Sequence, residues 1–454
     1  VLRGPQGTLF GSGSMGGAIR IITNEPDPDS WASFAEAILT DTRHGGFGND
    51  FRAMLNAPLA EGRAAIRAVA FPRDTDGWID NTLLGFNDVN SNETTGFRLA
   101  GMWSNQDRWT VKASIVSQER RSDGSGIDED NPPWTQQRRV EEPNGDEWSV
   151  YNIEIGYQFD WGRLISTTSR MNRALDNLID ATSFYQTVLS PVLPPEILPE
   201  VVAVELREQD DFIQEIRLMS IGDNKIDWLL GLFYQDQDYF TEQQVRAPGF
   251  DERTGGLATL FGPADTLLVG RAKRPLEQFA AFGDVTWALG ENWEGAIGGR
   301  WFRFEYEYES SGTGLLLQPP ASGQATADES GFTPKLGLSW SPKPELMMYG
   351  IVAGGYRPGG ANETAGEKFP GCQQELAFYG LSGIPDSYES DSLWSYEVGI
   401  KSRWPNRPVY LNAAAYYIDW SDIQTSVGLQ CGAGWRENYG TATSKGVEFE
   451  LVAY

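Results

Sequence analysis

The chain has 454 residues, of which 40% are hydrophobic and 12% aromatic, with 51 glycines and a formal net charge of −27. Sixteen Trp, 17 Tyr and 22 Phe exclude a disordered chain, and the acidic balance excludes a nucleic-acid partner, whose phosphates need a basic face. A mean hydropathy of −0.39 and the lack of any apolar run of 18 residues exclude a helical membrane protein, but not a transmembrane β-barrel, whose strands alternate lipid-facing and lumen-facing residues and average out as hydrophilic.

The first 26 residues read VLRGPQGTLFGSGSMGGAIRIITNEP. Glycines at 4, 7, 11, 13, 16 and 17 stand among small polar residues, which describes a tightly folded loop. From Ala18 to Thr23 the residues become β-branched, which predicts a strand ending before Pro26. Gly11–Gly16 has the form G-x-G-x-x-G, yet a dinucleotide site needs a strand before that motif and a helix after it. Here the strand follows, so no cofactor is expected. A glycine-rich linker is the plain alternative, but linkers lack fixed aliphatics and a following strand.

This stretch closely resembles the closing segment of the plug domain of TonB-dependent outer-membrane receptors. That family has V-x-R-G-P-x-G-x-L-[YF]-G followed by G-G-A-I-x-I-x-T. Val1, Arg3, Gly4, Pro5, Gly7, Leu9, Phe10, Gly11, Gly16, Gly17, Ala18 and Ile19 fit it position by position. The resemblance implies a plug end at residues 1–26 and a receptor β-barrel at 27–454, with Arg3 and the amides of Gly4–Gly17 as plug-to-barrel contacts.

After Pro26, segments of about ten residues with alternating character recur. Trp31–Thr40 and Asp50–Leu59 are joined through Arg43–Asn49, and Ala64–Phe71 follows the turn Ala60–Arg63. Beyond the long loop Asp74–Glu93 come Thr94–Ser104 and Arg108–Gln118; in the latter, Trp109, Val111, Ala113 and Ile115 alternate with Thr110, Lys112 and Ser114. Glu119–Glu147 is long and contains Asp128-Glu129-Asp130, read as solvated surface rather than a calcium site. Val150–Asp160 and Arg163–Asn172, then Arg207–Ile221 and Ile226–Asp238, are hairpins separated by the long loop Ala174–Leu206. Tyr239–Arg274 is long, and the pair Leu276–Leu289 and Trp293–Tyr308 precedes the long Glu309–Ser330. Phe332–Ser341 and Leu346–Tyr356, the long Arg357–Asp391, Ser392–Trp404 and Val409–Trp420, the long Ser421–Thr443, and Ser444–Tyr454 complete the chain.

That makes about 16 strands in alternation of short turns and long loops, the pattern of an outer-membrane barrel. No 40–50-residue repeat supports a propeller. Strand-end tryptophans at 31, 103, 109, 228, 287, 293, 301, 340, 404 and 420 suit interfacial girdles. Phe332–Trp340 with Gly355–Gly360, Leu393–Lys401, and Lys445–Leu451 resemble barrel strands of the same family. If the whole barrel has roughly 22 strands, as plugged transporters do, about six lie beyond Tyr454, and the coupling box and most of the plug lie before Val1. The chain, which has no initiator Met, is therefore expected to be a fragment.

No catalytic or metal constellation is visible. His44 is the single histidine, and Glu448 and Glu450 alternate with Val447, Phe449 and Leu451 as lumen lining. Cys372 and Cys431 fall in consecutive long loops on one face and are candidates for a disulfide. Tyr356, Phe378, Tyr379 and Trp435 are candidate ligand contacts. The resemblance implies energy-coupled import of a scarce nutrient, a ferric siderophore by default, with cobalamin or an oligosaccharide as alternatives and a passive porin or adhesin-like barrel as the contrasting class. It further implies the inner-membrane TonB complex, outer-membrane lipid and a small-molecule or metal-chelate ligand as partners.

Overall fold

The computed structural model describes residues 2–60, 62–124, 132–222, 224–368, 371–404 and 409–453; Asp128-Glu129-Asp130 and the turn 405–408 lie outside them. Among the described residues sixteen antiparallel strands form one sheet curled into a barrel wall. They are β1 (Ala32–Asp41), β2 (Phe47–Ala60), β3 (Ala64–Ala70, resumed at Arg73–Thr75), β4 (Asn92–Ser104), β5 (Trp109–Ser122), β6 (Asn144–Gln158), β7 (Gly162–Asp180) and β8 (Val202–Ser220). There follow β9 (Ile226–Arg246), β10 (Thr266–Lys273, resumed at Leu276–Ala288), β11 (Trp293–Thr313), β12 (Ala321–Lys343), β13 (Leu346–Arg357), β14 (Asp391–Trp404), β15 (Val409–Ser421) and β16 (Thr441–Ala453). Both halves of β3 pair with β2 and β4, and both halves of β10 pair with β9 and β11, so each counts as one strand.

The strands run past the lengths that hydropathy predicts. β11 and β12 have 21 and 23 residues, about twice the 9–11 that a bilayer requires. Their lower outward positions are apolar: Ile297, Trp301, Phe332, Leu336 and Leu338 are all exposed. Higher up, the same parity carries Glu305, Glu307, Glu309, Asp328 and Thr326, with the ladder unbroken from Trp293↔Trp340 to Gly312↔Ala321. Above the membrane the outward face is wet and turns polar, while inward Phe304, Tyr308 and Ala325 stay buried and the backbone bonds continue. The loop expected over Glu309–Ser330 is thereby reduced to residues 314–320, and much of Tyr239–Arg274 is also strand.

Aromatic rings collect at the short-turn end. Trp109, Tyr157, Phe159, Trp161 and Trp228 form a chain with successive centroid separations of 4.7, 4.7, 5.1 and 6.1 Å, and Trp293 stacks on Trp340 at 5.7 Å. Such rings suit a membrane–water boundary. Trp420 departs from the girdle reading: it pairs across the ladder with buried Leu393 and lies under the Arg357 guanidinium at 5.9 Å, inside the wall. A strand-end position does not fix which face a ring takes; the register does.

One seam lacks a ladder. Among the described residues β1 pairs with β2 alone and β16 with β15 alone, and all ten residues of β1 are exposed. In lipid each unsatisfied backbone group costs roughly several kcal/mol. Residues 1–454 refolded by themselves into detergent should therefore give no heat-modifiable, SDS-resistant monomer on a gel. A heat-modifiable band would show that the seam closes.

Candidate functional site

Residues 2–26 lie within the wall. Leu2–Arg3 pairs antiparallel with Gly17–Ala18, and between them Gly7–Phe10 forms one short helical turn. The loop is closed on itself by Gln6 N–H donating to the Ser14 carbonyl at 2.9 Å and Ser14 Oγ donating to the Gly11 carbonyl at 2.8 Å. Of the strand expected over Ala18–Thr23 only the Gly17–Ala18 end exists. β-Branched residues make a strand only where a partner accepts their hydrogen bonds, and here Ile19, Ile21 and Ile22 remain exposed. The descending stretch is tethered by side chains: Arg98 donates to the Asn24 carbonyl at 3.1 Å, and Lys112 pairs with Glu25. Fully buried Asn56 grips residues 27 and 30, donating to both carbonyls and accepting from the Asp27 N–H at 2.9 Å.

The loop touches β11–β13 through small residues on both sides. A Cβ on Gly7 would stand 3.2 Å from the Gly354 carbonyl, and one on Gly355 would stand 3.1 Å from Pro5. Gly13 N–H donates to the Tyr356 carbonyl at 3.0 Å, and Arg3 forms an ion pair with Glu448 on β16. At the centre is Arg300, 2% exposed, whose guanidinium lies 5.0 Å from the Phe233 ring and 5.3 Å from Phe282 and abuts Gly11. Tyr356, also 2% exposed, stacks on Phe302 at 3.7 Å and accepts from Gln278 at 3.3 Å. Tyr356 is thus enclosed beneath the loop. Its neighbour Arg357 pairs with fully buried Asp391, which anchors the loops above.

The outer loops form two capped clusters. Leu198, Val201, Val245, Phe250, Ala258 and Leu267 make one. The other surrounds a disulfide between Cys372 and Cys431, Cα atoms 5.3 Å apart, with Leu376, Ile384, Leu429 and Trp435. Phe378 and Tyr379 crown it, 85% and 54% exposed, while Trp435 is buried and meets Tyr379 edge-on at 5.8 Å. Trp435 also lines a cavity of about 370 Å³ with Arg274, Tyr306, Tyr308, Asn362, Tyr388 and Arg436. Arg300, Gln278, Arg274 and Arg436 carry no local sequence signature. They become neighbours of the loop or the cavity only through strand register and loop return.

Two glycines of the loop differ in what they require. Gly11 has φ +77° and would place a Cβ 3.2 Å from Arg300, whereas Gly16 has open space around it. Gly11→Val should therefore cost about 1–3 kcal/mol and speed amide exchange across Gly7–Gly13 in the full-length protein, and Gly16→Ala should leave that exchange unchanged. Equal effects would count against the packed loop. Thiol labelling of the denatured, non-reduced protein should find no free sulfhydryl, and two labelled cysteines would count against the disulfide.

The model of the TonB dependent receptor-like β-barrel family matches residues 30–454. The chain is 24% identical over 478 residues to the pesticin receptors of Yersinia enterocolitica and Yersinia pestis, and it spans 99% of its own length but 60% of theirs. In fold it is similar to the ferric yersiniabactin uptake receptor FyuA from Yersinia pestis, with a TM-score of 0.78 at 19% identity, covering 99% of this chain and 62% of that one. It is also similar to the siderophore receptor PiuA from Acinetobacter baumannii, with a TM-score of 0.69 at 15% identity over 99% of this chain and 65% of that one. With a barrel, a lumenal loop and a family match over nearly its whole length, the chain belongs to the TonB-dependent receptor β-barrel family of the Gram-negative outer membrane.

Proposed function

We propose that this chain supplies the barrel, residues 27–454, and the closing segment of the plug, residues 1–26, of a receptor that imports a ferric siderophore complex with energy from the inner-membrane TonB complex. The observation that carries the reading is the glycine loop lodged in the lumen by a few weak contacts. An exposed ion pair such as Arg3–Glu448 contributes about 0–1 kcal/mol, and a neutral hydrogen bond such as Gly13 to Tyr356 about 0.5–1.5 kcal/mol. Glycines facing glycines present little side-chain interlock to undo. Such a plug seals the lumen at rest yet yields to a modest pull, which is what coupled transport needs. A porin has no use for it, so import is assigned. The kinship with receptors named for ferric yersiniabactin and other siderophores supports the choice of cargo.

In cells carrying the full-length receptor, uptake of its ligand should collapse when the proton gradient is dissipated or TonB is deleted, while surface binding persists. Uptake that continues unchanged would move the protein into the passive class.

A further inference from the structure

The cavity at the loop mouth is chemically biased. Its wall carries two guanidinium groups, Arg274 and Arg436, in a chain whose net charge is −27. Among the described residues neither lies within 4 Å of a carboxylate, although many other arginines here do, such as Arg173 with Asp146 and Arg271 with Glu242. Aromatic rings hold them instead. Arg274 stands 5.6 Å from the Tyr239 ring and 5.2 Å from Tyr308. Arg436 stands 5.8 Å from the Tyr388 ring and donates to its hydroxyl at 3.4 Å.

The position of Arg436 is fixed by its backbone. Its N–H donates to Asn362 Oδ1 at 2.8 Å, and Asn362 Nδ2 donates to its carbonyl at 2.9 Å. The side chain is therefore free to meet a ligand without rebuilding the loop. One carboxylate, Glu363, lines the same cavity. A guanidinium stacked on an aromatic ring keeps its edge of donors for anionic oxygens and its plane for a further ring. The volume of about 370 Å³ suits one arm of a small ligand.

We propose that this cavity, formed by Arg274, Arg436, Tyr306, Tyr388 and Trp435, selects an anionic ligand bearing aryl rings: a chelate whose iron is held by phenolate-type oxygens, rather than a neutral hydroxamate chelate. The inference rests on the import reading for what happens to the ligand afterwards, but binding itself is tested without it. De-energised cells lacking TonB and displaying the full-length receptor are titrated with two probes. One is the iron(III) complex of 2,3-dihydroxybenzoate, anionic and aromatic, and the other is the iron(III) complex of acetohydroxamate, neutral and aliphatic. The first should bind, more weakly as salt rises, and the second should not.

Arg274→Gln and Arg436→Gln should each weaken binding about tenfold, the scale of one charge-assisted hydrogen bond. Arg303→Gln, outward-facing on β11 and paired with Glu305, should change nothing. Heat-modifiability of each variant reports folding, and Arg436, on a loop, carries the test if Arg274→Gln fails to assemble. Equal binding of both probes, no binding of the first, or unchanged affinity in the variants overturns the proposal. Binding as expected with uptake indifferent to TonB would leave the cavity assignment standing and remove the import reading instead.

Discussion

The constraint on which everything else depends is the hydrogen bonding of the backbone in lipid. With no water to satisfy N–H and C=O groups, a chain of this composition can cross a bilayer only as laddered strands. That requirement sets the strict antiparallel order from β1 to β16 and permits any side chain whose face suits its surroundings. It also frees the inward face from apolar duty. Arg98, Lys112, Arg300 and Glu448 can therefore stand inside the wall and grip residues 3–25.

Within that wall, the lumenal loop is held by a division of labour in one short motif. In Gly355-Tyr356-Arg357, the glycine lets Pro5 and Met15 approach, the tyrosine carbonyl receives Gly13, and the arginine turns to buried Asp391 and secures the outer loops. Arg357, which pairs with Asp391 at the loop mouth, is thus one residue from the contact that holds the lumenal loop.

The outer loops follow a different logic from the wall. Their stability comes from small apolar clusters and one disulfide, because a loop outside the bilayer has no extended ladder to lean on. The hairpin of Gln424–Gly428 and Gly434–Asn438 is tied to the rest by Gln424, whose amide donates to the Pro358 carbonyl at 2.7 Å, and by the Asn362–Arg436 pair. A loop fixed in this way can hold Arg436 at a set separation from Arg274, which lies between the two halves of β10 in the wall, across the cavity.

The sequence by itself determined the strand count, the short-turn ends and the lumenal loop. Lipid imposes a period of two on residues such as Trp109, Val111, Ala113 and Ile115, and close approach imposes glycine at positions such as Gly7 and Gly11. It did not determine where strands end above the membrane, since Glu309–Thr313 and Ala321–Ser330 are mostly small or polar at both parities and leave little hydropathic trace. It could not give the face of Trp420 or the enclosure of Tyr356, which depend on register and on how the end of β13 meets Phe302. The meeting of Arg300 with Gly11, and of Arg274 with Arg436 across one cavity, belongs to the tertiary structure alone: these residues are separated by more than a hundred positions, and only the curling of the sheet and the return of the loops bring them together.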